Sequence, residues 1–517
     1  MLAGMKLLFA LLYLLYAASL RAQTKPNILI ILADDMGFSD AGCYGGEIET
    51  PRLDKLAAGG LRFTQFYNTA RCWPSRTAVM CGYYPQQVRA DPRQGRLPGW
   101  AATLPQRLKP RGYRSYHTGK WHVPGAPKPL ADAGFDRSLR LEDHDRNFNP
   151  GNLLEDDKPL PPVKPGTGFY TTSAFADHMI GCLKDHVAHH AAQPFFAYLA
   201  FTAPHFPLHA LPEDIARYRD RYKKGWDVLR VERFERMKKM GIVSGELPPL
   251  ETGVTAPSGK ESDAALIGAG EMRQARAWES LTDEQRELQA TKMAIHAAMV
   301  DRMDRETGRV LDQLQAMGAL ENTLIFFFSD NGASAELMVR GDGHDRSAAP
   351  GSAGSFLCLG PGGSSLCNTP FRRHKIWVHE GGISTPLIVH WPRGIADRGA
   401  LRHDMGHVID VMPTILEVAG ASPSEGSPPL PGRSLVPAFA KDGSVTRDFL
   451  FFHHEVNRAL RTGDWKIVSA GEGDWELYDL KADRGESHNL SAAQPDRVRS
   501  MAARWQELQN GYVQQAK

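Results

Sequence analysis

The sequence contains little cysteine and almost no net charge. Six cysteines among 517 residues are too few for a disulfide scaffold, which places many cysteines in a short chain. The 61 Lys and Arg residues balance 59 Asp and Glu residues, leaving a formal charge of +2. The basic surplus typical of proteins that bind nucleic acid or anionic lipid is therefore absent, and no nucleic-acid partner is expected. A content of 42% hydrophobic and 23% charged residues excludes disordered and fibrous proteins and indicates a large globular chain.

Long apolar runs are also missing, apart from one at the N-terminus. Residues 7–18 are unbroken in Leu, Ala, Tyr and Phe and follow Lys6, but a membrane-spanning helix needs about 20 apolar residues. Residues 1–22 are therefore interpreted as a cleaved signal peptide, with an uncleaved membrane anchor as the alternative. The mature protein is expected to be exported, periplasmic or secreted, with no membrane attachment. In an oxidising compartment Cys358 and Cys367 could form a disulfide.

Short apolar runs alternate with helical patterns along most of the chain. Strands buried on both faces are predicted at residues 27–32, 195–201, 324–328 and 386–391. The clearest helix begins at Thr282, where the sequence TDEQ forms a capping box, and ends near Gly318. Strands separated by helices predict an α/β fold, with a large, mostly parallel or mixed sheet between layers of helices.

Two regions differ from this pattern. Residues 211–280 are polar and then rich in Pro, Gly and Ser, which indicates an inserted helical and loop region. Residues 420–443 are also rich in Pro, Ser and Gly and mark a boundary. The β-prone runs 449–452, 465–468 and 475–478 follow, and then a helix from about residue 494. We expect a main domain over 23–425 and a C-terminal subdomain with a small antiparallel sheet over 426–517.

Acidic side chains follow two of the predicted strands. Parallel sheets of α/β proteins bind ligands beyond the carboxyl ends of their strands. If the two strands are neighbours, three carboxylates and one amide converge there, and such oxygen donors suit Ca²⁺ or Mg²⁺. The alternative is that both segments are turns in which Asp and Asn cap helices. The candidate metal ligands are Asp34, Asp35, Asp330 and Asn331.

Residues 71–82 have the sequence RCWPSRTAVMCG. The C-x-P-S-R core with Gly82 six residues after Arg76 resembles the signature of the type I sulfatases. The resemblance implies that a formylglycine-generating maturation enzyme oxidises Cys72 to the aldehyde formylglycine. The residues on either side of Gly82 depart from the family pattern. The family usually has Thr or Ser before this glycine and Arg or Lys after it, whereas this chain has Cys81 and Tyr83. The core that the maturation enzyme requires is intact, so we expect modification to occur.

The resemblance extends from about residue 25 to the C-terminus, where the chain resembles the C-terminal subdomain of bacterial arylsulfatase-like members. It implies an alkaline-phosphatase-like fold, with 23–425 as the catalytic domain, and one calcium ion. The implied calcium ligands are the four strand-end residues named above together with the residue at position 72. Further matches are the TGKWH, APH and KIWVHEGG segments, which supply Lys120, His122, His205 and Lys375.

The family resemblance also implies a role for each of these side chains. Hydrated formylglycine at position 72 would be the nucleophile, with Arg76 orienting it. Lys120 and Lys375 would bind the sulfuryl oxygens. His122 would act as a base, and His205 together with Lys375 would protonate the leaving alcohol.

The sequence thus predicts an exported hydrolase of sulfate monoesters, with a sulfated saccharide as the expected substrate. A formylglycine-dependent phosphonate or phosphate ester hydrolase is an alternative with the same architecture. No matching set of His and Asp ligands for a two-zinc phosphatase is recognised. An alternative of another class is a non-catalytic protein that binds sulfated glycans, although a binding protein need not keep a nucleophile.

Overall fold

The computed structural model describes residues 25–141, 146–341, 343–423 and 425–517. The signal peptide predicted for residues 1–22 lies outside the described residues. None of the helices in the described ranges combines the length and apolar character needed to cross a membrane. The strands are β1 Asn27–Ala33, β2 Leu61–Tyr67, β3 Arg114–Lys120, β4 Arg137–Leu141, β5 Leu153–Glu155, β6 Lys158–Pro159, β7 Phe195–Ala200, β8 Thr323–Ser329, β9 Ser384–His390, β10 Ala400–Arg402, β11 Gly406–His407, β12 Leu450–His454, β13 Asn457–Thr462, β14 Trp465–Ser469 and β15 Glu476–Asp479.

The α-helices surround these strands and pack on both faces of the main sheet. They are α1 Pro51–Ala58, α2 Cys72–Cys81, α3 Leu104–Leu108, α4 Thr171–His190, α5 Pro212–Ala216, α6 Gly225–Lys239, α7 Glu261–Ile267, α8 Asp283–Ala316, α9 Gly360–Cys367, α10 Glu380–Ile383, α11 Val411–Ala419, α12 Val436–Ala440 and α13 Pro495–Gln515. Helix α8 begins as predicted, since the Thr282 side chain accepts a hydrogen bond from the backbone N–H of Gln285.

The described strands form one eleven-stranded sheet and one four-stranded sheet. In the large sheet the order is β10-β2-β9-β8-β1-β7-β3-β4-β5-β6, with β11 also paired to β2. Strands β8, β1, β7, β3 and β4 run parallel, whereas β9 is antiparallel to both β8 and β2. The sheet is therefore mixed, and the predicted α/β fold class is confirmed.

The central strand β1 shows why this sheet is stable. Ile28, Ile30 and Leu32 face one apolar cluster, and Leu29 and Ile31 face another. All five side chains are fully buried, which explains why the sequence is continuously apolar rather than alternating. Helices on both faces supply the rest of the two clusters, and the polar residues that follow β1 lie at the edge of this core.

The inserted region 211–280 contains helices α5, α6 and α7. Its apolar residues Trp226 and Leu229 are buried in the same cluster as Leu29, so the insertion lies on one face of the sheet. The Arg233 guanidinium, also on α6, is 2.8 Å from Asp40 and 2.8 Å from Glu47. Buried ion pairs therefore join the insertion to the loop after β1.

The C-terminal sheet has the order β12-β13-β14-β15 and is antiparallel throughout. Strand β13 is absent from the sequence-based prediction, while the other three strands and helix α13 agree with it. The boundary between residues 425 and 426 remains a prediction. The possible disulfide is wrong, because Cys358 and Cys367 are separate buried thiols. Cys358 contacts the carbonyl of Met338, and Cys367 lies 3.4 Å from His296 Nε2.

Candidate active site

The predicted convergence of acidic side chains is present at the carboxyl ends of β1 and β8. These strands are parallel neighbours, with Leu32 opposite Phe328, so the residues after them meet. All four candidates are buried, and the Asn331 side-chain amide donates a hydrogen bond of 2.6 Å to Asp35. The backbone N–H of Asp35 lies 3.4 Å from an Asp330 oxygen. The alternative reading as separate helix-capping turns does not explain this convergence.

Two side-chain oxygens of these four residues have no hydrogen-bond partner among the described residues. Asp34 Oδ1 and Asn331 Oδ1 are buried and accept no hydrogen bond within the described ranges. Burial raises the pKa of both Asp35 and Asp330, and the charge of Asp34 adds to the effect at both. Buried carboxylate and amide oxygens without a hydrogen-bond partner fit a hard divalent cation. Oxygen or nitrogen atoms of Asp34, Asp35 and His205 also lie within 4.8 Å of one another.

Cys72 is the first residue of helix α2, which begins directly after the extended residue Arg71. Its side chain is 3% exposed, at the bottom of the site. The helix ends at Cys81 and is followed by Gly82, whose φ of 75° is left-handed. A Cβ at Gly82 would lie 2.9 Å from Met412. The glycine of the motif is thus required by the backbone. Cys81 is fully buried in an apolar cluster, at the other end of the helix from Cys72.

Two cations hold the carboxylates in place on the side of α2 and β3. The Arg76 Nε donates to Asp330 at 2.8 Å, and its Nη1 donates to the carbonyl of Lys120 at 2.6 Å. The Lys120 ammonium, at the end of β3, donates to Asp34 at 2.5 Å. Burial alone would raise the pKa of Asp34, but the charges of Lys120, Arg76 and Lys375 lower it to about 2.

His122 lies directly beside the proposed nucleophile. Its Nδ1 is 3.3 Å from the Cys72 sulfur, and its Nε2 is 3.2 Å from the Arg93 guanidinium. Burial lowers the pKa of His122 well below its ordinary value, and the nearby charges of Lys120 and Arg76 lower it further. The imidazole is therefore neutral at neutral pH.

Lys375 and His205 approach the acidic residues from the opposite side. The Lys375 ammonium lies 2.8 Å from Asp35 and 3.1 Å from Glu336. His205 Nε2 lies 3.6 Å from Asp35 Oδ2, and its Nδ1 lies 2.5 Å from the carbonyl of Phe206. All six residues proposed as catalytic and all five proposed as metal ligands, Cys72 among both, are therefore in one buried site.

Glu336 is a member of the site that the sequence-based prediction does not include. It is 1% exposed and pairs with both Lys375 and Arg71, each at 3.1 Å. Although burial raises the pKa of Glu336, the charges of Lys375 and Arg71 lower it to about 2. The only signal in the sequence is an acidic residue shortly after the Asp330-Asn331 pair, in a segment without periodicity.

Comparison with known proteins agrees with this geometry. The profile of the family described as "Sulfatase" matches residues 26–421, and the profile "N-sulphoglucosamine sulphohydrolase, C-terminal" matches residues 372–511. An uncharacterised sulfatase of Schizosaccharomyces pombe is 33% identical, over 95% of this chain and 94% of its own length. The arylsulfatase of Klebsiella aerogenes is 32% identical, over 78% of this chain and 88% of its own length. The chain belongs to the sulfatase family and is a sulfuric ester hydrolase.

Solved structures show the same fold. The crystal structure of Ps i-CgsB in complex with k-i-k-neocarrahexaose has a TM-score of 0.67 at 24% identity and covers 95% of this chain and 94% of that one. A structure in complex with its substrate D-glucosamine-2-N,6-O-disulfate has a TM-score of 0.64 at 21% identity, with coverages of 94% and 98%. At these identities the likeness concerns the fold.

Proposed function

We propose that this protein is an exported, formylglycine-dependent sulfatase that hydrolyses a sulfate monoester of a saccharide to alcohol and sulfate, with one calcium ion bound. The observation that carries the proposal is the position of Cys72. It lies 3.3 Å from His122, on the same helix as Arg76, which pairs with Asp330. The residue that the family converts to its nucleophile thus borders an oxygen-rich cation site.

The proposed calcium ligands are the side chains of Asp34, Asp35, Asp330 and Asn331, together with the residue at position 72. The two buried oxygens that accept no hydrogen bond and the raised pKa values of Asp35 and Asp330 support a divalent cation here. Seven or so oxygen ligands are common for calcium, and carboxylates, amides and hydroxyls all serve. When bound, the ion supplies Lewis acidity towards a sulfuryl oxygen.

Formylglycine at position 72 would supply, as its hydrate, a hydroxyl nucleophile whose second hydroxyl allows sulfate to be released. The side chains around it fit such a group. Arg76 is fixed by Asp330 and by the carbonyl of Lys120, so it is a rigid positive charge one helical turn from position 72. The ammonium groups of Lys120 and Lys375 are also buried. Together these fixed charges would bind the sulfuryl oxygens and stabilise the negative charge of the transition state.

Proton transfer falls to the two histidines and to Lys375. His122 is neutral and in hydrogen-bonding distance of position 72, which suits a base that acts on the hydrated aldehyde. His205 and Lys375 both border Asp35 on the other side of the site. We assign to this pair the protonation of the leaving alcohol.

A sulfated saccharide is the proposed substrate class. Two solved structures of the same fold contain an oligosaccharide and a sulfated sugar, and the signal peptide proposed for residues 1–22 would export the protein to where such polymers occur. The low exposure of Cys72, 3%, favours a sulfate at the end of a chain. The proposal also requires a maturation enzyme that acts on the C-x-P-S-R core.

The test is turnover of 4-nitrophenyl sulfate, 4-nitrophenyl phosphate and a phenylphosphonate monoester by protein produced with its maturation enzyme. We expect the sulfate ester to be preferred and Cys72→Ala to abolish turnover. Cys81→Ser, at the other end of the same helix, is the matched control and should remain active. A preference for either phosphorus ester would support the alternative hydrolase. Binding of sulfated sugar without turnover of any ester would support the glycan-binding alternative.

A further inference from the structure

A cavity of about 300 Å³ lies beside His122 and is lined mostly by residues without a role assigned above. Lys120 and His122 form its inner wall, and Arg93 and Arg140 are among its other lining residues. It therefore adjoins two side chains that are assigned to the scissile sulfate and to proton transfer. A substituent next to that sulfate would enter this cavity.

Arg93 is held at the wall of this cavity by two contacts. Its guanidinium lies 4.1 Å from the centre of the Trp73 ring, a cation–π contact. Its Nη2 lies 3.2 Å from His122 Nε2, while the other ring nitrogen of His122 is 3.3 Å from the Cys72 sulfur. Only the width of one imidazole therefore separates Arg93 from the nucleophile.

The loop that carries Arg93 is fixed from two sides. The Trp73 indole N–H donates to the carbonyl of Ala90 at 3.1 Å, and Ala90 forms a backbone bridge with Arg93. Asp91 lies 2.9 Å from Nδ1 of His454 in the C-terminal sheet. The position of Arg93 is thus set by the nucleophile helix and by the C-terminal subdomain.

Arg93 differs from Arg71 and Arg76 in having no carboxylate partner among the described residues. Arg71 pairs with Glu336 and Arg76 with Asp330, whereas no carboxylate in the described ranges forms a salt bridge with Arg93. Its side chain is exposed and lies near the positive charges of Lys120 and Arg76, which act on His122 together with it. A planar fork of donors without an acidic partner suits a carboxylate or sulfate group.

We propose that Arg93 is a specificity-determining residue, which binds a second anionic group adjacent to the scissile sulfate on the same sugar. The substrate class is then a saccharide unit with two neighbouring anionic groups, either two sulfates or a sulfate and a carboxylate. This inference rests on the proposed sulfatase function and adds to it the chemistry of the substrate.

The test compares 4-nitrophenyl sulfate with two sets of doubly anionic aryl sulfates. One set carries a carboxylate ortho or meta to the sulfate ester, and the other carries a second sulfate at the same positions. The readout is the ratio of kcat/KM between each doubly anionic ester and 4-nitrophenyl sulfate, so that general effects of a mutation on catalysis cancel. The variants are Arg93→Gln, Arg93→Lys and the control Arg96→Gln. Arg96 is on the same loop, with a 79% exposed side chain that pairs with Asp132.

Wild-type protein should prefer at least one doubly anionic ester, and Arg93→Gln should lower that ratio by about 10- to 100-fold, as expected for loss of one hydrogen-bonded ion pair. Arg93→Lys should retain part of the preference, and Arg96→Gln all of it. If Arg93→Gln lowers the ratio for the carboxylate esters, the second group is a carboxylate. If it lowers the ratio for the doubly sulfated esters, the second group is a sulfate. An unchanged ratio in Arg93→Gln, or no preference in the wild type, overturns the inference. Absence of any sulfatase turnover in the wild type would instead refute the proposed function on which it rests.

Discussion

The protein contains two buried clusters of charged side chains, and they differ in how completely the charges are paired. The active-site cluster lies at the ends of β1, β3 and β8. The C-terminal cluster lies where α10 meets the four-stranded sheet. The first comprises Asp34, Asp35, Asp330, Arg76, Lys120 and Lys375, and the second comprises Glu380, Glu486, Lys466, Arg461 and Arg484. Apart from Arg484, whose side chain is 15% exposed, both clusters are nearly inaccessible to solvent. Both also combine acidic with basic side chains, so neither burial nor composition distinguishes them.

The two clusters differ in the hydrogen-bond partners of their carboxylates. Both oxygens of Glu380 are bonded, one to Lys466 at 3.0 Å and the other to Tyr67 at 3.0 Å, and Lys466 and the nearby arginines outweigh burial and lower the pKa of Glu380 to about 2. In the active-site cluster, Asp34 Oδ1 has no hydrogen-bond partner within the described residues, and burial raises the pKa of Asp330. In the C-terminal cluster both carboxylates lie within 3.0 Å of the Lys466 ammonium, although Glu486 Oε1 and Arg484 Nη2 form no hydrogen bond within the described residues. The raised pKa values of Asp35 and Asp330 therefore distinguish the active-site cluster and support the proposed calcium ion there.

The largest effect is expected for Asp330→Ala, which removes a proposed calcium ligand and the partner of Arg76. Metal ions contribute several kcal/mol of transition-state stabilisation, so kcat/KM for 4-nitrophenyl sulfate should fall on the order of 1,000-fold. Bound calcium, measured by mass spectrometry of the metal, should fall with it. The control is Asp312→Asn, an exposed acid paired with Arg52. Full calcium content and activity in Asp330→Ala would show that the active-site cluster does not bind calcium through Asp330.

In the C-terminal cluster, Lys466→Met should affect stability rather than metal content. It leaves Glu380 and Glu486 buried without their ammonium partner, and breaking a buried pair costs about 3–5 kcal/mol. Urea unfolding should show this loss, and the folded protein should still bind calcium. The exposed Lys441→Met serves as the control. A decrease in the free energy of unfolding of less than about 1 kcal/mol would indicate that Lys466 contributes no more to stability than a surface ion pair does.

Removal of divalent cations should destabilise only the active-site cluster. Since a ligand bound to the folded state stabilises it, calcium at 100 times its Kd contributes about 2.7 kcal/mol. EDTA should therefore lower the Tm of the wild type, and added calcium should restore it. The Tm of Asp330→Ala should not respond to either treatment. A wild-type Tm indifferent to EDTA would argue that the site is complete without a metal ion.

Glu336→Gln should have a smaller effect on activity, because Glu336 acts through Lys375 and Arg71. We expect kcat for 4-nitrophenyl sulfate to fall about tenfold, the effect of roughly one hydrogen bond to a charged group. Exposed Glu321→Gln is the control. An unaltered kcat in Glu336→Gln would mean that Asp35 alone positions Lys375.

The pairing of Glu336 also predicts how the stability difference between wild type and Glu336→Gln changes with pH. The pKa of Glu336 is lowered from 4.5 to about 2 by Lys375 and Arg71, which outweigh burial. Its ionised form therefore stabilises the folded state fully above pH 4.5, and this contribution is lost as the pH falls towards 2. The difference in unfolding free energy between wild type and Glu336→Gln should be constant from pH 7 to 5 and decrease below. A difference that grows in acid would contradict the assigned pairing.

Much of the fold and the acidic part of the site could be predicted because local patterns determine them, whereas the catalytic side chains were assigned through the resemblance to the sulfatases. Continuous apolar runs mark the doubly buried strands, and acidic residues at their ends converge once the strands are parallel neighbours. The sequence does not predict strand β13 because NRALRT has only two apolar residues. Four of its six residues are buried, but two of these, Asn457 and Arg461, are polar. Glu336 and Arg93 were missed because non-periodic loops carry them. The pairing of Arg233 with Asp40 likewise depends on folding across nearly the whole first half of the chain.

Active protein should carry formylglycine at position 72. Trypsin cleaves after Arg71 and Arg76, so mass spectrometry of the peptide 72–76 tests it directly, on samples whose turnover of 4-nitrophenyl sulfate has been measured. We expect the CH₂–SH group to be replaced by an aldehyde or its hydrate, in a fraction of the protein that rises in proportion to kcat. Full turnover by protein whose peptide retains only the unmodified thiol would contradict it.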